Sequence, residues 1–157
     1  MDIQLNFINR SNDANNSEIV IFSKNTSTGY SEVAVAWLVI QNCGQNESHP
    51  FVYPETSQVG SSDSWGNYSA RLDAEPGQAF AVTMTSSGDT LAAAGEANYP
   101  TEIQIANNLE KGAINALIFK DGKLFASKTS VAPQQMAAFE FKPTISICVA
   151  SEVVQGQ

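Results

Sequence analysis

The sequence contains a single histidine, His49, and only two cysteines. One histidine removes most zinc sites, Ser-His-Asp triads and Cys-His pairs, unless that one residue serves. The sequence also lacks a GxGxxG motif, a phosphate-binding loop, a DxDxDG calcium loop and a close acidic pair. We therefore expect no cofactor and no metal ion, and we expect binding rather than catalysis.

Basic residues are scarce. Eight Lys and Arg stand against sixteen Asp and Glu, which gives a formal net charge of -8. This charge repels phosphate backbones and anionic headgroups, so nucleic acid is not an expected partner. Contact with a membrane must use apolar or aromatic side chains and specific headgroup recognition rather than a polybasic patch. The longest mainly apolar run, VAVAWLVI at 33–40, is too short for a transmembrane helix.

The first residues, MDIQLNFINRS, lack the basic start and apolar core of a Sec signal peptide. Their alternation instead predicts a strand. We expect a protein that is cytosolic, already mature or released without a Sec signal.

Short apolar or alternating runs bounded by Gly, Pro, Asn, Asp or Ser predict β-strands along the whole chain. These runs are 3–8, 18–24, 32–40, 79–84, 103–107, 114–119, 123–127, 137–141 and 145–150. Asp121-Gly122 predicts a tight hairpin turn, and LAAAGEA at 91–97 is interpreted as one helical turn at most. The pattern predicts an all-β sandwich or closed barrel, and we favour a single antiparallel β-sandwich domain over 1–157.

Two segments near the start of the chain resemble two segments in its second half. The matching pairs are IQLNFIN (3–9) with IQIANN (103–108), and IVIFSKN (19–25) with ALIFKDG (116–122). This alignment predicts a pseudo-duplicated strand pattern with an insertion spanning 30–70. A rival register sets Cys43 against Cys148. A bridge between these cysteines and two free thiols are both open.

The stretch HPFVYPETSQVGSSDSWGNYS at 49–69 has a composition typical of loops, yet it contains large rings. The rings are Phe51, Tyr53, Trp65 and Tyr68. They either cover one end of the sandwich or form an exposed recognition platform, because rings flanked by Ser, Asn and Gly suit sugars, lipid interfaces and protein partners. Trp37, inside an apolar run, is instead predicted to be core.

Two further patterns support weaker hypotheses. Asn-X-Ser triplets begin at Asn9, Asn15, Asn25, Asn46 and Asn67. We interpret them as turn chemistry, in which Asn and Ser side chains bond to the local backbone. Cys43 and His49 form the least favoured hypothesis, a Cys nucleophile with a His base.

One family comparison rests on short motifs. CGQNES at 43–48 resembles the Cys-Gly-polar segment of aegerolysins, and SWGN at 64–67 is similar to their Trp-Gly-Ser loop. Aegerolysins are small acidic β-sandwich proteins that recognise membrane lipids, often with a larger perforin-like partner, including in bacterial two-component insecticidal toxins. The resemblance implies membrane contact through Trp65 and Tyr68, a larger pore-forming partner, and a protein of the bacterial cytoplasm or one released without a Sec signal.

These observations predict a non-enzymatic recognition module that binds a membrane lipid or a cell-surface receptor. The expected target-binding residues are Phe51, Tyr53, Trp65 and Tyr68. Two alternatives stay open: a carbohydrate-binding module that stacks the same rings on sugars, and a self-assembling subunit, such as a homodimer, whose strand edges pair.

Overall fold

The computed structural model describes residues 2–11, 18–27, 34–142, 144–150 and 153–156. Across these ranges the chain forms strands and turns without a helix, which confirms the all-β class. The strands are β1 (Ile3–Ile8), β2 (Glu18–Phe22), β3 (Leu38–Ile40), β4 (Ser48–Tyr53), β5 (Ser57–Asp63), β6 (Leu72–Ala74), β7 (Gln78–Thr85), β8 (Gly88–Glu96), β9 (Ile103–Asn107), β10 (Ile114–Lys120), β11 (Lys123–Val131), β12 (Met136–Phe139) and β13 (Ser146–Ala150). None of the described segments is a helix long and apolar enough to cross a membrane.

The strands lie in four sheets, with orders β1-β4, β11-β10-β5-β6, β12-β9-β7-β8 and β13-β2-β3. Among the described pairs, β7 and β9 are parallel and the others are antiparallel. Strand order alone does not fix how sheets stack, so the sandwich arrangement and the pseudo-duplicated pattern stay predictions.

One contiguous hydrophobic cluster joins residues from three of these sheets, and the partly buried rings of β1 and β4 pack against it. The inward residues of β10 are Ile114, Ala116 and Ile118. Because successive side chains of a strand alternate between its faces, Asn115, Leu117 and Phe119 lie on the opposite face of the same sheet. That outer face contributes to the candidate site described below.

Trp37 lies in the core, as predicted, with 1% of its surface exposed. Its indole Nε1 donates a hydrogen bond to the carbonyl of Lys120 at 3.0 Å. Its ring meets those of Tyr53 and Phe125 edge-on, each with centroids 5.8 Å apart. The buried indole therefore has both the apolar packing and the polar partner that it needs.

The hairpin predicted at Asp121-Gly122 is confirmed between β10 and β11. Lys120 and Lys123 are directly paired, and the two turn residues have φ values of 52° and 71°. Positive φ at both central positions is the requirement of a type I′ turn, which Asp-Gly meets at low cost.

Two predictions about local structure are wrong. Residues 91–97 belong to β8 and its end rather than to a helical turn, because pairing with β7 outweighs the helix propensity of alanine. The stretch 49–69 is mostly strand, since it contains nearly all of β4 and the whole of β5. The Ser and Gly residues of β5 lie between β10 and β6, and this tertiary pairing supplies what their weak strand propensity does not.

The turn-chemistry interpretation is confirmed at two of the Asn-X-Ser triplets. Asn9 Oδ1 accepts from the N–H and hydroxyl of Ser11 at 2.9 and 2.7 Å, and Asn25 Oδ1 does the same for Ser27 at 3.1 and 2.9 Å. Each Asn also donates from Nδ2 to a remote backbone carbonyl. The triplet at Asn15 lies outside the described residues, as do residues 32–33 of the run 32–40.

Candidate functional site

The loop between β5 and β6, residues 64–71, carries two of the predicted rings. Trp65 is 87% exposed and Tyr68 is 73% exposed. The loop is not separate from the sheet, because Tyr68 forms a bridge with Ser62 and the Ser69 N–H donates to the Ser61 carbonyl at 2.8 Å. Both rings therefore project from a backbone that is anchored at its base.

Asp63, the last residue of β5, organises the loop tip. Its Oδ1 accepts the backbone N–H groups of Trp65 and Asn67, each at 2.9 Å, and its Oδ2 accepts the Asn67 side-chain amide at 2.9 Å. The side-chain bond from Asn67 is the largest cause that lowers the pKa of Asp63 below its usual value, and the backbone bonds act in the same direction. Gly66, with φ 85°, supplies the left-handed position of the turn.

The other two predicted rings lie elsewhere. Phe51 and Tyr53 are half-buried on β4 and pack against the core, and burial raises the pKa of the Tyr53 phenol. Tyr53 precedes β5, whereas Trp65 follows it, and the seven residues of β5 span about 20 Å. The structure thus places Trp65 and Tyr68 on one loop after β5, whereas Phe51 and Tyr53 lie on β4, before β5 begins.

Sequence reasoning missed Met84, which is 72% exposed near the end of β7. Met84 and Tyr68 line the same surface groove, of about 430 Å³, together with Asp63 and Asp89. The signal in the sequence was a large apolar residue two positions before the turn Ser86-Ser87. The exposed apolar surface therefore extends from the β5–β6 loop to the β7–β8 hairpin.

A second groove, of about 580 Å³, lies on the other side of Tyr68. It crosses the outer face of the β11-β10-β5-β6 sheet, where Asn115 and Leu117 contribute to its lining. Tyr68, Ser69 and Arg71 of the β5–β6 loop line the same groove. Tyr68 is shared by both grooves.

Arg71 is held in this larger groove by two contacts. Its guanidinium carbon lies 3.8 Å from the centroid of the Phe119 ring, and its Nη1 donates to the Gly122 carbonyl at 3.2 Å. The Phe119 ring in turn lies against Gly60, where an added Cβ would be 3.0 Å from Phe119 Cε2. Gly60 thus provides the space in which Phe119 supports Arg71.

The two grooves differ in charge. The smaller groove contains Asp63 and Asp89, whereas the larger groove contains Arg71 and Lys123. Lys123 Nζ forms an ion pair with Asp121 at 3.0 Å. In the part of the chain that the structure describes, no carboxylate lies within ion-pair distance of Arg71, so Arg71 is the main cationic group available to a ligand here.

Lys120 is a buried lysine at the end of β10, beside the start of β5, and its ammonium group binds backbone carbonyls. Its Nζ donates to the carbonyls of Pro54 and Glu55 at 2.9 and 3.3 Å. Burial lowers the pKa of Lys120, and the nearby Glu55 carboxylate opposes that shift. The ammonium group thereby connects β10 to the turn between β4 and β5.

Cys43 and His49, the residues of the Cys-His hypothesis, share no hydrogen bond in the part of the chain that the structure describes. Cys43 is buried and its thiol donates weakly to the Glu47 carbonyl at 3.7 Å, whereas His49 is exposed on β4 opposite Phe7. Cys148 is exposed on β13, so both cysteines are free thiols. Within the described ranges, no group of three or more His, Cys, Asp or Glu side chains is arranged to hold a metal ion.

No protein family, no curated protein and no solved structure matches this chain. The aegerolysin resemblance of 43–48 and 64–67 therefore stays a sequence-based expectation. In the structure the first segment forms the turn that enters β4, where the Gly44 N–H donates to Glu47 Oε2 at 2.9 Å, and the second forms the tip of the β5–β6 loop.

Proposed function

We propose that this protein is a non-enzymatic recognition module that binds a membrane or cell-surface target through its β5–β6 loop. The observation that carries the proposal is the exposure of Trp65 and Tyr68 on a turn fixed by Asp63. Burying one large apolar side chain contributes a free energy of about 1.5–3 kcal/mol. The exposed rings of Trp65 and Tyr68 gain this free energy only when a partner covers them. Exposed rings on a rigid turn are typical of binding surfaces.

Preorganisation adds to the affinity of such a surface. Three hydrogen bonds from the loop converge on Asp63, so the turn already has a defined conformation before the target binds. A side chain immobilised on binding costs about 0.5–1.5 kcal/mol, and a ring with two rotatable bonds is at the low end of that cost. Met84 extends the apolar contact with a flexible side chain that adapts to the partner.

The charge of the protein restricts the target. The net charge is -8, and Asp63 and Asp89 lie in the groove next to Tyr68. An anionic lipid surface would be repelled by this field and would find no polybasic patch. The proposed contact is therefore apolar and aromatic, with a neutral membrane surface or a specific cell-surface molecule.

The proposal is tested by co-sedimentation with cells and with vesicles, using Trp65→Ala, Tyr68→Ala and the double variant. Tyr99→Ala is the matched control, because Tyr99 is also an exposed ring but lies beyond the end of β8 that is remote from Met84. We expect the double variant to lose binding at least tenfold and the control to bind as the wild type does. Equal binding of the double variant would contradict the proposal.

A further inference from the structure

The larger groove beside Tyr68 combines an aromatic wall with a hydroxyl-rich lining. Its volume of about 580 Å³ suits a ligand of one to a few sugar units, since small-molecule sites measure about 300–1,000 Å³. Leu117 supplies apolar floor, and Ser127 and Thr129 supply hydroxyl groups that both donate and accept. The Ser69 hydroxyl donates to the Ala70 carbonyl and accepts from the Ser61 N–H, so it offers a ligand only its remaining acceptor site. This mixture of one exposed ring and many small polar groups matches the alternating C–H and O–H surface of a saccharide.

Asn115 adds a fixed polar contact to that lining. Its Oδ1 accepts from the Ser130 N–H at 3.2 Å, and its Nδ2 donates to Ser62 Oγ at 3.1 Å. These two bonds orient the amide, and an amide nitrogen carries two N–H groups, of which the bond to Ser62 uses one. A polar group that is oriented before binding favours a specific hydroxyl arrangement over general adsorption.

Arg71 gives the groove its charge preference. The guanidinium has five N–H donors, and the contact with Gly122 uses one of them. Its position over the Phe119 ring, at 3.8 Å, together with the bond to Gly122, holds the guanidinium in the groove. A planar guanidinium fork matches the two oxygens of a carboxylate or sulfate better than it matches a neutral hydroxyl.

We infer that this groove binds a saccharide that carries a carboxylate or sulfate group, with Tyr68 stacked on a sugar ring and Arg71 paired with the anionic group. The inference rests on the proposed recognition function and names the chemical class of its target. A polyphosphate ligand fits less well, because among the described residues Arg71 is the one cation of this groove without an ion-pair partner, and the protein has a net charge of -8. The anionic group belongs on the Arg71 side of Tyr68, away from Asp63 and Asp89.

The test is calorimetric and NMR titration of the full chain with matched pairs of sugars, sialyllactose against lactose and trigalacturonate against a neutral galactose trimer. We expect at least one anionic sugar to bind about tenfold or more tightly than its neutral partner, with shifts in the amides of Tyr68 to Arg71. Arg71→Gln should remove the difference within a pair, and Tyr68→Ala should weaken both members. Arg10→Gln, which alters an exposed arginine of the β1–β4 region, is the control and should change neither.

Several outcomes separate the inference from the proposed function. Equal affinity within each pair, an unchanged affinity in Arg71→Gln, or no saccharide binding at millimolar concentration would overturn the inference. If one of these outcomes occurred and the wild type still sedimented with neutral vesicles, the proposed recognition function would stand and only the saccharide inference would fall. Saccharide binding in the groove with no binding to any cell or vesicle would support the inference and overturn the proposed function.

Discussion

The guanidinium of Arg71 rests on the ring of Phe119, with 3.8 Å between the guanidinium carbon and the ring centroid. The two residues come from the β5–β6 loop and from β10, so the contact fastens the loop to the outer face of the sheet. Gly60, on β5, makes it possible because any side chain there would meet Phe119. The absence of a side chain at residue 60 thereby helps determine where the Arg71 guanidinium lies in the groove.

Gly60→Ala tests that relationship. An ideal Cβ at residue 60 would be 3.0 Å from Phe119 Cε2, so the ring must give by a few tenths of an ångström, and we expect the Arg71 guanidinium that lies over it to shift as well. We expect a loss of about 1–3 kcal/mol in the free energy of unfolding and weaker ligand binding in the groove, both measured on the same protein. Gly44→Ala is the control, because its Cβ would have ordinary contacts with Glu47 and should leave stability and binding nearly unchanged.

The two tryptophans should respond in opposite ways to substitution. Trp65→Ala removes a side chain that is almost fully exposed, so the free energy of unfolding should change by less than about 0.5 kcal/mol. Trp37→Ala removes a buried ring and its bond to the Lys120 carbonyl, and should cost about 3–5 kcal/mol. Urea denaturation measures both, and a large destabilisation by Trp65→Ala would place that ring in the core.

The loop should keep its conformation down to acidic pH. The folded-state pKa of Asp63 is lowered from its usual 3.8, so the bonds to its carboxylate are complete above the unfolded value and are lost as the pH falls through the lower folded value. The amide shifts of Trp65 and Asn67 should therefore be constant from neutral pH to about pH 4 and change only below it. Asp63→Asn should remove this transition and Asp89→Asn should keep it. A midpoint above 3.8 would contradict the prediction.

Lys120→Met should destabilise the protein without affecting the site. The substitution leaves the carbonyls of Pro54 and Glu55 without the ammonium donor, and an unsatisfied buried acceptor costs about 1–3 kcal/mol. Lys111→Met, at an exposed lysine, should change the free energy of unfolding by less than about 0.5 kcal/mol. Equal stability of the two variants would show that Lys120 does not fasten the β4–β5 turn.

Local signals predicted the parts of the fold that local forces determine. The bounds of β1 and β9 agree with the predicted runs, the Asp121-Gly122 turn is present, and Trp37 is buried. By contrast, β5 was missed because its Ser and Gly residues are held by β10 and β6, which are distant in sequence. Strand propensity depends on such neighbours and cannot be assigned from one segment alone.

The candidate site also combines features that the local sequence predicts with features that depend on residues distant in the sequence. Exposed rings at Trp65 and Tyr68 could be proposed from composition, because Ser, Gly and Asn surround them. The grooves could not, since the larger one requires residues from β5, β10, β11 and the β5–β6 loop to meet. Arg71 had no motif to mark it, and its position depends on a contact with a residue 48 positions away in the sequence, at Phe119.

Tryptophan emission during titration with vesicles and cell-membrane preparations tests the central claim most directly. The protein has two tryptophans, and Trp37 is already buried, so a change in emission on binding reports Trp65. The account predicts that at least one preparation co-sediments with the protein and shifts the emission to the blue, and that Tyr99→Ala retains the shift. Co-sedimentation with no change in emission, or no binding to any preparation, would contradict it.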